Sequence, residues 1–369
     1  MTVRLLNPVV NDTSSLSNPS SHETTRTIAI SGINAIDNPG PGTGIARSLR
    51  EASSNLQLQL LGLAYDVMEP GLYMDWLFDR HFIMPYPSAA PDVLLERLQH
   101  IRQQTGLGCV IPSFDVEIPL YVHCAAELAS MGIATYLPTK AQFALRNKAK
   151  LAEAARQFQA KTPETQVVSS PDDLLDAASE IGFPLMVKGP YYKAYRVTSV
   201  EELQSRARVL AAEWGYPLIL QEIVIGNELN LVGVGDGQGD SLGMVAIKKM
   251  GVTELGKIWS GVTILNPKLF QTAQAFLQTT HWRGAFELEC IATREGELYL
   301  IEVNPRFPAW IYFATGVGVN LPERLVRAAL GLPLPPVEDY EAGKFLMRYT
   351  YEMVTDTNPL QTLIAIGER

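Results

Sequence analysis

The stretch Gly284-Ala285-Phe286-Glu287-Leu288-Glu289-Cys290-Ile291, followed after a polar break by Leu298-Tyr299-Leu300-Ile301-Glu302-Val303-Asn304-Pro305-Arg306, decides how this chain is read. Both halves alternate apolar with acidic or amide residues, the period of a β-strand. Between them, Thr293-Arg294-Glu295-Gly296-Glu297 is polar and holds the glycine that a hairpin turn wants. A turn centred between Glu295 and Gly296 sets Glu289 opposite Glu302 and Glu287 opposite Asn304, all four on one face. Phe286, Leu288, Cys290, Tyr299, Ile301 and Val303 then form the other, apolar face. Two carboxylates directly opposed on neighbouring strands, with Cβ atoms about 5 Å apart, repel unless a cation lies between them. Hard oxygen ligands and an Asn carbonyl suit Mg²⁺, which takes one or two protein carboxylates and completes its shell with phosphate oxygens. A solvated acidic sheet face has the same pattern, so the hairpin alone leaves both readings open.

Working outward, 369 residues with 47% apolar and only 19% charged side chains describe a globular chain of two or three domains, and exclude a disordered, coiled-coil or collagen-like one. The net charge of −9 offers no general field for a nucleic acid, so no such partner is expected. Apolar runs such as Leu60 to Tyr65 are broken by Asp66 and Glu69, far short of a membrane span. Residues 1–26 carry a Ser/Thr/Asn run without a continuous apolar segment, which reads as a flexible tail and not a secretory signal. Cys109, Cys124 and Cys290 form no CxxC pair and read as buried hydrophobes in a reducing cytoplasm.

A strand at 27–31, a Gly-rich loop and a helix at 45–52 open the ordered chain. Strands at 57–64, 109–113 and 133–137 then alternate with helices at 92–104 and 119–131, which is the order of a parallel α/β sheet. The loop Asn38 to Gly44 could receive an anion at the following helix N-terminus or be a plain strand-to-helix turn. Asp115 and Glu117 fall at the C-terminal end of a strand, where ligands of parallel sheets bind. Further on, Ser170-Pro171-Asp172-Asp173 and the capping box Ser199 to Glu202 start helices, beside strands at 183–189 and 216–224. From Glu228 the chain is mostly strands, at 228–235, 241–249, 258–264, 284–292 and 298–304, with helices at 267–280 and 320–330. An α/β domain thus precedes an α+β one. The pair Lys248-Lys249, at a strand end, could reach phosphate groups or be plain surface charge, the commoner case.

Taken with the order of several upstream segments, the hairpin resembles the metal-binding hairpin of the ATP-grasp enzymes, especially the carbamoyl-phosphate synthetase and biotin carboxylase branch. Ala314-Thr315-Gly316-Val317 before a helix fits the same branch. The resemblance implies an ATP-grasp fold behind an N-terminal Rossmann-like (pre-ATP-grasp) parallel α/β domain. It gives Glu289 and Glu302 the role of metal ligands with Asn304 assisting, keeps Glu287 as an alternative upstream acid, and aims Arg306 at the phosphoryl or substrate end. Phe183-Pro184-Leu185-Met186-Val187-Lys188 resembles the strand whose Lys contacts the α- and β-phosphates. Arg146-Asn147-Lys148 resembles the earlier site whose Lys approaches the same nucleotide. Gln221 to Glu228 resembles the hinge, where backbone groups of Glu222 and Val224 hold the adenine edge and Glu228 accepts from the ribose hydroxyls. The chain departs from the family in Gly189-Pro190-Tyr191-Tyr192-Lys193-Ala194-Tyr195-Arg196, where a Gly-rich loop is usual; Lys193 or Arg196 could supply charge there instead.

The resemblance therefore implies an ADP-forming carboxylate–amine ligase that uses ATP and Mg²⁺, with Mn²⁺ as an alternative. Its expected units are residues 27–137, 138–225, 226–335 and an extension over 336–369 to which no role is given. Arg306 and Lys188 would serve the chemistry, with Lys148 and Gln221 also at the nucleotide. Trp310, Tyr312 and Phe313 could line an apolar substrate pocket or pack in the core. Small carboxylates and amines are the implied partners, and a homodimer is among the expected states. Two other readings remain: a bicarbonate-activating carboxylase or carbamoyl-phosphate-type enzyme, and a catalytically silent nucleotide sensor.

Overall fold

The computed structural model describes residues 25–36, 39–190, 193–253, 256–337, 339–350 and 352–369. The expected tail over 1–26 lies, except for its last two residues, outside that set, as do Asn38, Tyr191 and Tyr192.

The N-terminal unit comprises β1 (Arg26–Ile30), α1 (Gly42–Arg50), β2 (Leu58–Ala64), β3 (Arg80–Ile83), α2 (Pro91–Thr105), β4 (Leu107–Ile111), α3 (Ile118–His123) and α4 (Ala125–Ser130). Its four strands run parallel in the order β3-β2-β1-β4. The fourth strand is not the expected 133–137, which makes a single bridge from Ala134 to Cys109. That segment's polar groups are used elsewhere: Thr135 O accepts from Arg283 at 3.0 Å, and the Tyr136 hydroxyl donates to Asp236 O at 3.1 Å. The helix expected over 119–131 is divided at Cys124.

A second unit follows with α5 (Lys140–Phe143), α6 (Leu151–Gln157), β5 (Thr165–Val168), α7 (Leu174–Ile181), β6 (Leu185–Lys188), β7 (Ala194–Val197), α8 (Val200–Trp214) and β8 (Leu218–Glu222). Its antiparallel sheet, ordered β5-β8-β6-β7, buries Val187, Leu218 and Leu220 against Leu203 and Leu210 of α8. The Ser199 hydroxyl accepts the Glu202 N–H at 3.3 Å and starts α8 as the capping signal indicated.

The third unit holds β9 (Asn227–Asp236), β10 (Ser241–Val252), β11 (Ile258–Ile264), α9 (Pro267–Thr280), β12 (Arg283–Ala292), β13 (Leu298–Asn304), α10 (Tyr312–Gly316), α11 (Leu321–Ala329), β14 (Phe345–Met347) and α12 (Thr357–Ile366). Six strands pair antiparallel in the order β13-β12-β9-β10-β11-β14. One face packs Phe286, Leu288 and Cys290 under Phe276 and Leu277 of α9 and the fully buried Trp282. The other face starts apolar, with Val232, Val234, Val245 and Ile247 in one cluster with Ile28, Ile30 and Ile45 of the N-terminal unit. Its far end turns polar, and there the candidate site lies.

Residues 336–369, left without a role by the sequence, cover sheet edges. β14 pairs with β11, and after α12 the Ile83 N–H donates to Gly367 O at 2.7 Å while His81 and Arg369 exchange backbone bonds at 2.8 and 3.0 Å. Covering an edge strand removes a row of unpaired backbone groups that would otherwise invite association.

Candidate active site

The β12–β13 hairpin sets Glu287 opposite Asn304 and Glu289 opposite Glu302, the pairs its alternation indicates. Nearer the turn the register changes: Cys290 pairs with Leu300, which leaves Ile301 as an extra residue. The turn is the cause. Thr293 N–H donates to Glu297 O and Gly296 N–H to Thr293 O, a five-residue loop that offsets the ladder by one, and a bulge at Ile301 restores it. As a result Leu300 and Val303 join the core, while Tyr299 and Ile301, expected there, are only half-buried.

The acids on the polar face differ in their partners. Glu287 is buried and accepts from three neutral donors: Asn230 Nδ2 at 2.7 Å, Trp310 Nε1 at 2.9 Å and Asn304 Nδ2 at 3.2 Å. Burial, with Glu289 nearby, pushes its carboxyl up to about 7. Glu289 accepts from Lys249 Nζ at 2.7 Å and Asn304 Nδ2 at 3.0 Å. Burial alone would raise it, but the Lys249 ammonium outweighs that and holds it below the usual carboxylate range. Glu302 meets Lys148 Nζ at 3.2 Å. Glu289 and Glu302 are thus the opposed pair that meets ammonium groups, and Glu287 is a neighbour fixed by neutral donors.

The lysines converge on that pair. Lys188, at the end of β6, donates to Gln221 Oε1 at 2.5 Å, and Gln221 in turn donates to Thr165 Oγ1 at 3.0 Å. Burial, and then the charge of Lys148, pull the Lys188 ammonium down to about 8. Lys249, for which surface charge was the commoner expectation, is instead buried between Glu289 and Glu228, whose Oε2 lies 3.0 Å from its Nζ. Glu228 is half-exposed and keeps room for another partner. At the hinge, Glu222 N–H is committed to Glu164 O at 2.9 Å, which occupies one of the backbone groups expected there to hold an adenine.

Arg306 leaves the end of β13 and donates through Nε to Asp115 Oδ2 of the N-terminal unit at 2.9 Å. Arg146 lies 3.5 Å from the other Asp115 oxygen. Burial pushes Asp115 up, but the two guanidinium groups hold it below its ordinary value. Two further cations that sequence reasoning missed stand near Arg306. Lys257 donates to Pro39 O at 2.8 Å, and burial with the charges of Arg306 and Arg348 lowers it to about 8. Arg348 comes from the extension, next to β14, and donates to Ala309 O at 2.5 Å. Their signal was only a lysine in a β-hairpin and an arginine in a segment without a motif.

Several candidates do not join the site. Trp310 and Phe313 are buried in packing, Trp310 reaching the site only through its indole N–H on Glu287, and Tyr312 stacks under Arg47 and donates to Glu51 at 2.7 Å. Glu117 is fully buried. It accepts from the Ser31 and Tyr65 hydroxyls and from the N–H groups of Ser113 and Phe114 at 2.6 and 2.8 Å, and so shapes the loop that presents Asp115 without reaching a ligand. Gly40 and Gly42 pack against the chain just after β1: a Cβ at Gly40 would lie 2.3 Å from Gly32 O and one at Gly42 2.2 Å from Ser31 O. Lys193 pairs with Glu213 of α8 at 2.6 Å, and Arg196 is exposed.

The donor set fits a divalent cation of the magnesium type. Among the described residues no three acidic, His or Cys side chains form a ready cage. Mg²⁺ takes one or two protein carboxylates when phosphate completes its shell, and the opposed pair offers two. Asn304 turns its Nδ2 towards Glu287 and Glu289, and its Oδ1 lies 3.5 Å from Arg306.

No family model matches the chain. Acetyl-CoA carboxylase of Dictyostelium discoideum is 27% identical over 185 residues, which is 47% of this chain but only 8% of that protein's length. Among solved structures, N5-carboxyaminoimidazole ribonucleotide synthetase bound to ADP superposes with a TM-score of 0.66 at 16% identity, over 86% of this chain and 80% of that one. The biotin carboxylase domain of Hydrogenobacter thermophilus 2-oxoglutarate carboxylase, with MgADP, ADP and bicarbonate, gives 0.66 at 18% over 87% and 73%. Biotin carboxylase from Campylobacter jejuni, as a β-γ-ATP complex, gives 0.67 at 15% over 88% and 75%. The chain has the ATP-grasp fold, with a parallel α/β domain at its N-terminus.

Proposed function

We propose that this chain is an ADP-forming ligase that activates a carboxylate as an acyl phosphate and joins it to an amine through a C–N bond. The observation that carries the reading is the opposed pair Glu289 and Glu302 ringed by the ammonium groups of Lys148, Lys188 and Lys249. An acid resists amine attack because its leaving group would be oxide; phosphorylation makes that oxygen a phosphate. Lys188 and Lys148 would receive the nucleotide's phosphates, and Glu228 its ribose. Glu289 and Glu302 would hold Mg²⁺, which supplies neutralisation of phosphate charge, and Asn304 would join them once its amide turned its carbonyl from Arg306 to the ion. Arg306, fixed by Asp115, would face the oxyanion of the activated acid.

Its working units in this reading are residues 27–137, 138–225 and 226–335 with the 336–369 extension. A cytoplasmic enzyme, homodimeric and without a nucleic-acid or membrane partner, completes the proposal. ADP release with Mg·ATP and pools of amino acids and small carboxylic acids tests it, with Glu302→Gln as the blank. Release that needs both an acid and an amine supports the ligase. ATP binding without release under any condition moves the assignment to a silent nucleotide sensor.

A second reading, in which the activated acid is bicarbonate, draws on two observations. Lys257 and Arg348 add positive charge beside Arg306, which suits a small anion. The solved neighbours include one whose structure holds bicarbonate with MgADP. ADP release that rises with added bicarbonate and needs no other acid selects it.

A further inference from the structure

Lys249 occupies a place that the proposed reaction does not require. It stands on β10, Glu228 on β9 and Glu289 on β12, three strands whose side chains meet on one face. Its ammonium lies 2.7 Å from Glu289 and 3.0 Å from Glu228, and its side chain is only 9% exposed. One cation therefore serves two carboxylates with different tasks, one proposed to take a divalent ion and the other a ribose. A buried ammonium keeps its charge only while acids pair with it. Conversely, a divalent cation that approaches Glu289 meets a positive charge already on that carboxylate, at a depth where screening is weak.

We propose that Lys249 couples the loading of the cation site to the loading of the nucleotide. With no nucleotide present, it holds Glu289 and opposes a divalent ion there. A ribose that engages Glu228 competes for one of the ammonium's two acceptors, and the phosphates bring negative charge that offsets both cations. Binding of the two ligands is then positively linked, and by reciprocity the divalent ion tightens the nucleotide. The inference rests on the reading of Glu289 and Glu302 as a cation site and Glu228 as the ribose acceptor.

Mn²⁺ binding to the full chain, followed by the electron paramagnetic resonance of the free ion, tests it with and without saturating ADP. In the unmodified protein ADP is expected to tighten Mn²⁺ at least ten-fold. Lys249→Gln keeps hydrogen-bonding capacity without the charge, and should bind Mn²⁺ alone at least five-fold tighter, with a matching fall in the ADP effect. Lys249→Arg should behave as the unmodified protein does. If Lys249→Gln binds Mn²⁺ alone no tighter than the unmodified protein, the coupling is wrong. Should that variant not fold, Glu228→Gln alters a half-exposed group and leaves the core intact; an ADP effect unchanged in it overturns the proposal equally. Glu302→Gln separates the premise from the inference: if Mn²⁺ binding with ADP survives that change, the cation site itself is misassigned.

Discussion

The β12–β13 hairpin and the β6–β7 hairpin both present charged groups to the candidate site, yet they are built in opposite ways. β12 is flanked by β9 and β13 and buried on one face under α9, and its acids each have identified donors. β6–β7 stands at the side of a four-stranded sheet with β7 outermost; Leu185, Val187 and Val197 enter the core, Ala194 and Arg196 are exposed, and Lys188 lies partly buried next to the turn. Lys249 sits between two carboxylates and is raised above its ordinary value, whereas Lys188 has a neutral acceptor, Gln221, and is lowered to about 8. The first hairpin fixes geometry and charge before any ligand arrives. The second holds a cation whose pairing is incomplete, which leaves it to be completed by an anion.

The largest test of this contrast is on the fixed side. Glu302→Gln keeps the shape and removes one charge of the opposed pair, so ADP release should fall by about 10³-fold, roughly 4 kcal/mol of transition-state stabilisation. A fall below ten-fold would show that the pair is not central. Next is the clasp that ties this hairpin to the N-terminal unit. Asp115→Asn leaves Arg306 without its anion and removes the shared partner of Arg146, which should cost about 3 kcal/mol, read as a lowered urea midpoint. An unchanged midpoint would mean that the clasp is not structural.

How much of this was legible follows from the range over which each feature is encoded. That Glu287, Glu289, Glu302 and Asn304 share one polar face is local, because alternation fixes it within about twenty residues. The bulge at Ile301 is not, because apolar residues at Tyr299, Leu300 and Ile301 satisfy either register until the loop closes. The role of Lys249 needs β9 and β12 on one side of β10, an arrangement set by sheet order and not by its own neighbours in sequence. β3 was missed because Arg80-His81-Phe82-Ile83 has no alternation, and its edge is covered by residues 367–369 from the far end of the chain. Glu117 had the strand-end position of a ligand contact, but Ser31 and Tyr65, from two other strands, close over it.

The lysines then sharpen the contrast through pH. Lys188 loses its proton near 8 in the folded chain, against an ordinary value of 10.5. ADP affinity should weaken roughly five-fold between pH 8 and 9 as the ammonium is lost, and Lys188→Met should flatten that slope. The sign for stability is opposite. Between about 8 and 10.5 the unfolded chain still holds a proton that the folded chain has released, so this lysine makes stability rise with pH across that window. Lys249, raised by its two acids, contributes no loss of charge there.

The smallest effect is expected at the outer end of β6–β7. Lys193 is exposed and its ammonium pairs with Glu213 of α8, an ion pair open to water and weakened by salt. Lys193→Ala should therefore change ADP affinity by less than about two-fold and leave the melting temperature nearly unmoved. If it instead weakens ADP ten-fold, Lys193 must exchange Glu213 for the nucleotide's phosphates. The glycine-poor loop would then supply by a side chain what glycine-rich loops supply by backbone N–H groups, and the β6–β7 hairpin would be completed by its ligand on both sides of its turn.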